Sequence, residues 1–246
     1  MNPHPQATRW IIMFAKAPIA GRVKTRLGRV IGHDDAAALH EAFILDMAQT
    51  MVRFKQETPN SRDVQLCLAW SVQRDHPCFE RLRQMGFMLI RQPEGDLGAR
   101  LEQVTEQAFA QGAQRVVVTG TDSPTLLERH LHAAFEQLSP PEPTVVFGPS
   151  FDGGYYLVGL NHSDSRAFEQ IPWSAPDTLS VSIARLRQRA RARCHLLEFW
   201  YDVDTVEDLD HLRRHLDYLN GMKALSGAFE HTNAQLTRIG QEAKNG

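Results

Sequence analysis

This chain of 246 residues has few cysteines, no long apolar run and no large excess of either charge. Its three cysteines, Cys67, Cys78 and Cys194, are isolated from one another. Without a Cys-x-x-Cys spacing they indicate neither a disulfide scaffold nor a thiolate zinc site. No apolar run approaches the roughly 20 residues that a transmembrane helix needs. We therefore expect reduced, packed thiols and no membrane partner.

The charges of the chain nearly cancel, since 27 Lys and Arg stand against 29 Asp and Glu, for a formal net charge of −2. A protein so balanced exerts no long-range attraction on nucleic acid or on an anionic membrane, so neither is expected as a partner. The first residues, MNPHPQAT, have neither the basic nor the apolar region of a secretory signal, which favours a cytoplasmic location. Any anion site must therefore be built locally.

Strand-like and helix-like periodicities alternate from Trp10 to about Asn220. This pattern is typical of a mostly parallel sheet covered by helices on both faces. The predicted class is α/β, with a tail over residues 1–9, one domain over 10–220, and an appendage or frayed helix over 221–246. Strands are predicted at residues 10–16, 64–70, 87–91, 115–120, 144–148 and 155–160.

Several local features refine this scheme. The unbroken run Val116–Val118 predicts a central strand that is buried on both faces. The tight turn FDGG between the last two strands predicts one antiparallel pair. Asp34 or Asp35 is expected to cap the long helix that follows the first strand. Thr205 and Asp208 form a capping-box start for the last helix of the domain.

The loop after the first predicted strand, AKAPIAGRVKTRLG, is unusually basic. Ligands of open α/β sheets collect at the carboxyl ends of the strands, which is where this loop lies. A glycine gives the backbone freedom to approach a ligand, and basic side chains can neutralise phosphates. The spacing fits neither a P-loop nor a dinucleotide-binding fingerprint, so a solvated basic loop is the alternative. The candidate ligand-binding residues here are Lys16, Gly21, Arg22, Lys24, Thr25 and Arg26.

The segment RQPEGDLGARL also follows a strand and opens a helix. Gly95 and Gly98 would let backbone amides reach a ligand, and Gln92 could read the edge of a nucleotide base. The plainer interpretation is a helix capped by Asp96 and preceded by turn glycines.

Single carboxylates follow other predicted strands. Asp122, in GTDSP, ends the most buried strand, where a carboxylate could hold Mg²⁺ beside phosphates. An Asx-turn or a helix cap before Pro124 is the alternative. Asp202 and Asp204 precede the last helix and could supply a second metal ligand from a different strand end.

The segment FDGGYYLVGL offers a further carboxylate beside glycines and tyrosines. Its candidate residues for binding an acceptor molecule are Asp152, Gly153, Gly154 and Tyr155. A tight hairpin with aromatic packing explains the same residues equally well.

Other sequence patterns give weaker support for a functional site. His211 and His215 lie four apart on a helix but lack the Glu of a zincin motif. The arginine run over residues 185–193 is favoured as a solvated helix surface. Ser123 has no nucleophile-elbow glycines around it, so a serine hydrolase is not indicated.

Taken in order, six segments resemble the DUF2064 family, also labelled selenodomain- or arsenosugar-associated transferases with a glycosyltransferase-A-like fold. The segments are APIAGRVKTRLG, EGDLGARL, GTDSPTL, GPSFDGGYYLVGL, IPWS and DVDTVEDL. The family is similar, more distantly, to nucleotidyltransferases of the molybdenum-cofactor and phospholactate guanylyltransferase type. The resemblance implies a single nucleotide-diphospho-sugar-transferase-like domain, a three-layer α/β/α structure with a twisted, mixed and mostly parallel sheet.

The resemblance also implies the arrangement of a site. The GRVKTRLG loop should meet nucleotide phosphates, EGDLG should lie near the base, and Asp122 with Asp204 should hold Mg²⁺ or Mn²⁺. The sequence departs from the glycosyltransferase Asp-x-Asp pattern, because only Asp122 stands between Thr121 and Ser123. The nucleotidyltransferase pattern Gly-x-Gly-Thr-Arg is likewise reduced to an echo in residues 24–26.

The leading hypothesis is nucleotidyl transfer from a nucleoside triphosphate to an anionic small molecule or sugar phosphate, with release of pyrophosphate. Four basic residues in one loop are more than a diphosphate leaving group requires. Lys24, Arg26 and Asp122 are the expected catalytic residues, and Lys16 joins Lys24 and Arg26 in binding the triphosphate.

Two alternatives stay open. One is a glycosyltransferase that moves a sugar from a nucleotide sugar to a hydroxyl group, for which Asp152 is the candidate general base. The other is a nucleotide-binding module without turnover, which a single carboxylate in GTDSP would suit. The base, the acceptor and the oligomeric state are not specified by the sequence.

Overall fold

A computed structural model describes residues 8–71, 76–139, 141–163, 167–189, 192–222 and 227–245. The predicted tail over 1–9, the arginine run and the predicted appendage therefore lie partly outside the described residues. The elements, in chain order, are β1 (Arg9–Lys16), α1 (Thr25–Ile31), α2 (His33–Glu57), β2 (Val64–Ser71), α3 (Pro77–Gln84), β3 (Met88–Arg91), α4 (Leu97–Ala110), β4 (Arg115–Thr119), α5 (Glu128–Gln137), β5 (Thr144–Pro149), β6 (Tyr155–Leu160), α6 (Thr178–Arg189), β7 (Arg193–Leu196), α7 (Val206–Asn220) and α8 (Glu230–Asn245).

The seven strands form one mixed sheet in the order β3-β2-β1-β4-β6-β5-β7. Neighbours in the β3-β2-β1-β4 half are parallel, and β5 is parallel to β7. Strand β6 runs antiparallel to both β4 and β5, which confirms the antiparallel pair predicted from the FDGG turn. Because β6 is reversed, its first residue lies at the same edge of the sheet as the carboxyl ends of the other strands.

Both faces of the sheet are covered, as the unbroken apolar run in β4 predicts. Along β1, Ile11 and Met13 pack with α2, α3 and α5, whereas Trp10 and Ile12 pack with α4 and α6 on the opposite face. This alternation follows from the two-residue repeat of a strand. The predicted α/β class with a mostly parallel sheet is confirmed.

The cysteines pack as expected. Cys67 and Cys78 are buried in the two cores, and all three thiols are free. Burial raises the pKa of Cys67 and of Cys78 to about 12, so both stay protonated at neutral pH. Such thiols are poor nucleophiles.

A third apolar cluster joins α1, α2, α7 and α8, and includes the buried Leu27, Phe43, Val203 and Phe229. Helix α8 packs along α2, and the Asp46 carboxylate accepts hydrogen bonds from the backbone amide of Thr232 at 2.8 Å and of His231 at 3.2 Å. The segment expected as an appendage or frayed helix therefore contains a helix that is anchored to the domain.

Two local predictions are corrected. Helix α2 begins after Gly32, and no side chain among the described residues caps it. Asp34 and Asp35 instead lie in its first turn, where their charge favours the helix dipole. The basic loop also contains a helix, α1, that we did not predict.

In the part of the chain that the structure describes, no helix combines the length and the apolar character that crossing a membrane requires.

Candidate active site

Lys24 stands at the centre of the loops that gather at the carboxyl edge of the sheet. It is the N-cap residue of α1 and adopts a left-handed backbone conformation, with φ of 45°. This conformation costs a residue with a side chain roughly 1–2 kcal/mol. The ammonium of Lys24 donates to the carbonyl oxygen of Val203 at 2.6 Å and to Oδ1 of Asp204 at 3.0 Å, and it forms an ion pair with Oδ1 of Asp122. These contacts hold the strained residue in place.

The lysine and its two carboxylates differ in their access to solvent. The Lys24 side chain is 2% exposed, whereas the side chains of Asp122 and Asp204 are 45% and 51% exposed. The two acids therefore face an open cleft while the ammonium lies behind them. The role expected of Lys24 in binding phosphates stays a prediction, and the structure places its ammonium in contact with both expected metal ligands.

Mutual attraction keeps this group charged. Burial by itself would lower the pKa of Lys24, but the charges of Asp122 and Asp204 outweigh it and raise the pKa above its ordinary value. Burial would likewise raise the pKa of Asp122, but Lys24, with smaller contributions from His40 and Lys16, holds it below its usual range. Asp122 is thus ionised at neutral pH.

Asp202, which the sequence offered beside Asp204 as a possible second metal ligand, has a hydrogen-bond partner of its own. It accepts a hydrogen bond from the hydroxyl of Ser123. Burial, together with the charges of Asp122 and Asp152, raises its pKa to about 7, although the Ser123 bond and Lys24 oppose the shift. The sequence signal was the Asp-Val-Asp alternation, since alternate residues of an extended segment share a side. Between the two acids, the backbone amide of Val203 donates to the carbonyl oxygen of Asp122 at 2.8 Å.

His40 is a residue near this site that sequence reasoning missed. It lies on α2 with its Nε2 3.3 Å from the carbonyl oxygen of Lys16. Burial lowers its pKa to about 4, so the ring is neutral. Its Nδ1 is buried without a hydrogen-bond partner among the described residues. A histidine inside a long amphipathic helix carries no sequence signal for this position.

The cleft in front of Asp122 and Asp204, which we call the basic cleft, has a volume of about 520 Å³. It adjoins a larger cavity of about 690 Å³ that shares Lys16, Arg22, Gln92 and Arg100 with it and adds Arg91. Arg91 and Arg100 were not among the predicted residues. Those predicted residues that line the basic cleft are Lys16, Arg22, Lys24, Thr25, Arg26, Gln92, Asp122 and Asp204.

The EGDLG segment has a structural role at this edge of the sheet, because it caps helix α4 and allows that helix to approach a neighbouring loop closely. Oδ1 of Asp96 accepts from the backbone amide of Ala99 at 2.9 Å and so caps α4. A Cβ on Gly98 would lie 2.6 Å from the carbonyl oxygen of Phe168, so helix and loop approach closely here. Gly95, Asp96 and Gly98 line neither of these two cavities. The Gln92 side chain donates to the carbonyl oxygen of Ala69 at 2.7 Å, so its nitrogen is already engaged.

A second pocket, which we call the tyrosine pocket, opens on the other side of Asp122 and has a volume of about 250 Å³. It is lined by Asp152, Gly154, Tyr155, Trp173 and Asp202, among others. Oδ1 of Asp152 accepts from the backbone amide of Gly154 at 2.9 Å, which makes the FDGG turn an Asx-turn as well as a wall of the pocket. Asp122 belongs to both the basic cleft and the tyrosine pocket.

The oxygens around Lys24 fit a hard divalent cation. Asp122, Asp204 and the carbonyl of Val203 all contact one nitrogen, and carboxylate and carbonyl oxygens are the ligands that Mg²⁺ and Mn²⁺ prefer. A separate group, Glu41, His76 and Cys78, has potential ligand atoms within 4.8 Å of one another. Its sulfur and nitrogen donors suit a softer metal.

Comparisons with known proteins agree with this architecture. The sequence profile of the family DUF2064, described as an uncharacterized protein conserved in bacteria, matches residues 52–175. A protein of Desulfovibrio desulfuricans G20 that carries the provisional name of nucleotide-diphospho-sugar transferase is 32% identical, with a TM-score of 0.79 over 96% of this chain and 98% of that one. Among curated proteins there is no significant match.

More distant structures share the fold alone. The CMP:2-keto-3-deoxy-manno-octonic acid synthetase complexed with CTP is 16% identical, with a TM-score of 0.51 over 86% of this chain and 99% of that one. A cytidylyltransferase from Leptospira borgpetersenii serovar Hardjo-bovis is 11% identical, with a TM-score of 0.52 over 96% and 95% of the two chains. The glycosyltransferase-A-like fold expected from the six motifs is confirmed.

Proposed function

The chain belongs to the DUF2064 family, and from that premise we propose that it is a nucleotide-dependent transferase. Its favoured reaction is nucleotidyl transfer from a nucleoside triphosphate to an anionic small molecule or sugar phosphate, with release of pyrophosphate. One observation carries the proposal: two half-exposed carboxylates, Asp122 and Asp204, face a cleft that Lys16, Arg22, Arg26 and Arg100 also line. The provisional name of the 32% identical relative supports a nucleotide as the donor.

Bases and acids on one cleft suit a polyphosphate with a divalent cation. Arg22 and Arg26 bind phosphate oxygens through their planar guanidinium groups, which can donate two parallel hydrogen bonds. Lys16 adds a positive charge on a flexible side chain. Asp122 and Asp204 would hold Mg²⁺ or Mn²⁺, which when bound neutralises charge on the phosphates. Phosphoryl chemistry depends mainly on positioning and charge stabilisation. The chain therefore needs no protein nucleophile for this reaction.

The acceptor occupies the tyrosine pocket. Asp152, Gly154 and Tyr155 form one wall of this pocket, and Asp122 and Asp202 also line it. An acceptor there meets the donor at Asp122, which lines both cavities. Gly153 supports this wall from behind, because a Cβ on it would lie 1.9 Å from the carbonyl oxygen of Pro176.

Asp202 favours glycosyl transfer as the second candidate reaction. An inverting glycosyltransferase needs a general base near the acceptor hydroxyl, and a carboxyl whose pKa is about 7 can take up a proton at neutral pH. Asp202 lines the tyrosine pocket together with Asp152, the candidate base from the sequence, and its raised pKa makes Asp202 a further candidate for that role.

The two reactions differ in their products. The purified chain would be screened by thermal shift against nucleoside triphosphates and nucleotide sugars, with and without Mg²⁺ or Mn²⁺, since a ligand selective for the folded state raises Tm. Each stabilising donor would then be incubated with sugar phosphates and other anionic acceptors. We expect pyrophosphate from a triphosphate, and its loss in Asp122→Asn but not in Asp210→Asn, which alters an exposed acid on α7.

Other outcomes decide against the favoured reaction. Release of a nucleoside diphosphate from a nucleotide sugar would replace nucleotidyl transfer by glycosyl transfer. Nucleotide binding that is insensitive to metal, unchanged in Asp122→Asn and without either product would indicate a binding module without turnover.

A further inference from the structure

We propose that Lys24 is a built-in substitute for the divalent cation: its ammonium holds Asp122 and Asp204 together when no metal is bound, and it leaves them when metal arrives. The inference rests on the proposed metal site. It makes metal binding and the release of Lys24 towards the basic cleft a single coupled event.

The charges of the three groups support an exchange. Two carboxylates and one ammonium carry a net charge of −1, and both carboxylates contact the same nitrogen. A divalent cation placed on those oxygens would lie against the ammonium, and like charges at contact distance repel strongly outside bulk water. Metal and ammonium are therefore alternatives at this position.

The segments that carry the two acids are tied down by backbone hydrogen bonds, whereas the Lys24 ammonium is held only by the contacts that a metal would replace. The segment of Asp122 is tied to that of Asp204 by the backbone bond from Val203. The backbone amide of Asp204 donates to Oδ2 of Asp208 at 3.0 Å, within the capping box of α7. Lys24 lies at a backbone position where no side-chain bond caps α1 in the described structure, and its long side chain has many rotamers. A released ammonium enters the basic cleft, which Lys24 already lines.

This exchange couples two ligands. Metal alone binds weakly, because it must displace Lys24 from both carboxylates. A polyphosphate in the basic cleft offers the displaced ammonium a new anionic partner, so each ligand strengthens the binding of the other. Lys24 is thus a positioning residue that keeps the metal site closed until the phosphates are present.

Mn²⁺ binding to the full chain without nucleotide tests the proposal, with free Mn²⁺ measured by electron paramagnetic resonance. We expect Lys24→Met to bind Mn²⁺ more tightly than wild type by about tenfold or more, because one charge-assisted contact accounts for about tenfold and Lys24 contacts two carboxylates. Lys16→Met is the matched control, since it removes one positive charge from the same cleft. The affinity of Lys16→Met for Mn²⁺ should change much less than that of Lys24→Met. Asp122→Asn combined with Lys24→Met should lose the gain, and Cys78→Ser combined with Lys24→Met should keep it, which excludes the Glu41 cluster as the site.

Thermal melting separates exchange from a purely structural role. Without metal, Lys24→Met should melt below wild type because its two carboxylates repel each other, and Mn²⁺ should restore the Tm. Unchanged Mn²⁺ affinity in Lys24→Met, or a lowered Tm that Mn²⁺ does not restore, would overturn the proposal. Because these measurements involve no nucleotide, transfer activity with unchanged Mn²⁺ affinity would reject the exchange alone. Tighter Mn²⁺ binding without any transfer would reject only the proposed function.

Discussion

Three carboxylates share one edge of the sheet, yet they differ in their partners. Asp122 and Asp204 share the ammonium of Lys24. Asp202 receives the Ser123 hydroxyl and faces the charges of Asp122 and Asp152. Since Lys24 holds the pKa of Asp122 below its usual range while burial raises the pKa of Asp202 to about 7, Asp202 is the one of these two carboxyls that binds a proton near neutral pH.

We expect the stability of wild type relative to Asp202→Asn to fall as the pH rises from about 4 to about 7. The pKa of Asp202 is raised from 3.8 to about 7, so between these values the folded protein holds a proton that the unfolded chain has released. That stabilisation is lost as the pH rises through the folded-state pKa. The slope is at most about 1.4 kcal/mol per pH unit, and urea denaturation at several pH values measures it.

Asp210→Asn is the control for this experiment, because Asp210 is exposed on α7 and forms a local ion pair with Arg213 at 2.9 Å. Its stability should follow wild type across the same pH range. If the difference between wild type and Asp202→Asn does not vary with pH, then Asp202 ionises as an ordinary carboxyl and is not a candidate base.

At the level of single residues, the sequence predicts that three charged side chains converge but not which of them pair. Lys24, Asp122 and Asp204 each follow a strand, and strand ends meet at one edge, so their convergence was predictable. The pairing of Lys24 with both acids was not predictable, because these partners are separated by up to 180 residues and no local pattern encodes such a contact. His40 was missed for the same reason, since its role depends on the neighbouring carbonyl of Lys16.

Individual elements show where local sequence suffices. The capping box of α7 was predicted and is present, with Thr205 and Asp208 exchanging backbone hydrogen bonds. Helix α1 was missed although Val23, Leu27 and Ile31 recur every fourth residue, because the intervening basic residues were interpreted as a ligand loop. The helix begins after Lys24, whose backbone is left-handed. Tertiary contacts impose this conformation, and no local sequence pattern predicts it.

The turn between β5 and β6 gives a sharp prediction at this scale. Gly153 has a φ of +89°, and a Cβ there would lie 1.9 Å from the carbonyl oxygen of Pro176. Gly153→Ala therefore combines backbone strain with a clash against backbone, and should lose about 3 kcal/mol or more of stability. Urea denaturation measures the loss.

Gly21→Ala separates the two causes. Gly21 also has a positive φ, of +74°, but a Cβ there meets no atom of the described chain within 4 Å. It should cost only the backbone strain, roughly 1–2 kcal/mol. Equal losses in the two variants would mean that the contact with Pro176 relaxes freely and does not support the wall of the tyrosine pocket.

For the molecule as a whole, the reversed strand β6 decides where the tyrosine pocket lies. Had β6 been parallel to its neighbours, the FDGG turn would have needed a long crossover and would not lead directly into it. Because β6 pairs antiparallel with β4 and β5, a short turn suffices between β5 and β6, and this turn lies at the carboxyl edge. The tyrosine pocket thereby adjoins the basic cleft, which lies at the end of the parallel half.

The net charge of −2 means that attraction for a polyphosphate must come from the basic cleft and not from the protein as a whole. Inorganic triphosphate, which lacks a base and a sugar, isolates this electrostatic contribution. Calorimetric titration of the metal-free protein with this probe should give an affinity that weakens as salt is added, because added ions screen the charges of the cleft.

Arg26→Gln should bind inorganic triphosphate about tenfold more weakly than wild type and should depend less on salt, since one charge-assisted contact is lost. Arg29→Gln is the matched control, because Arg29 is exposed on the same helix but does not line the basic cleft. It removes the same charge from the molecule. Equal weakening in both variants would show that the overall charge governs binding, whereas a loss confined to Arg26→Gln locates the phosphate site beside Asp122 and Asp204.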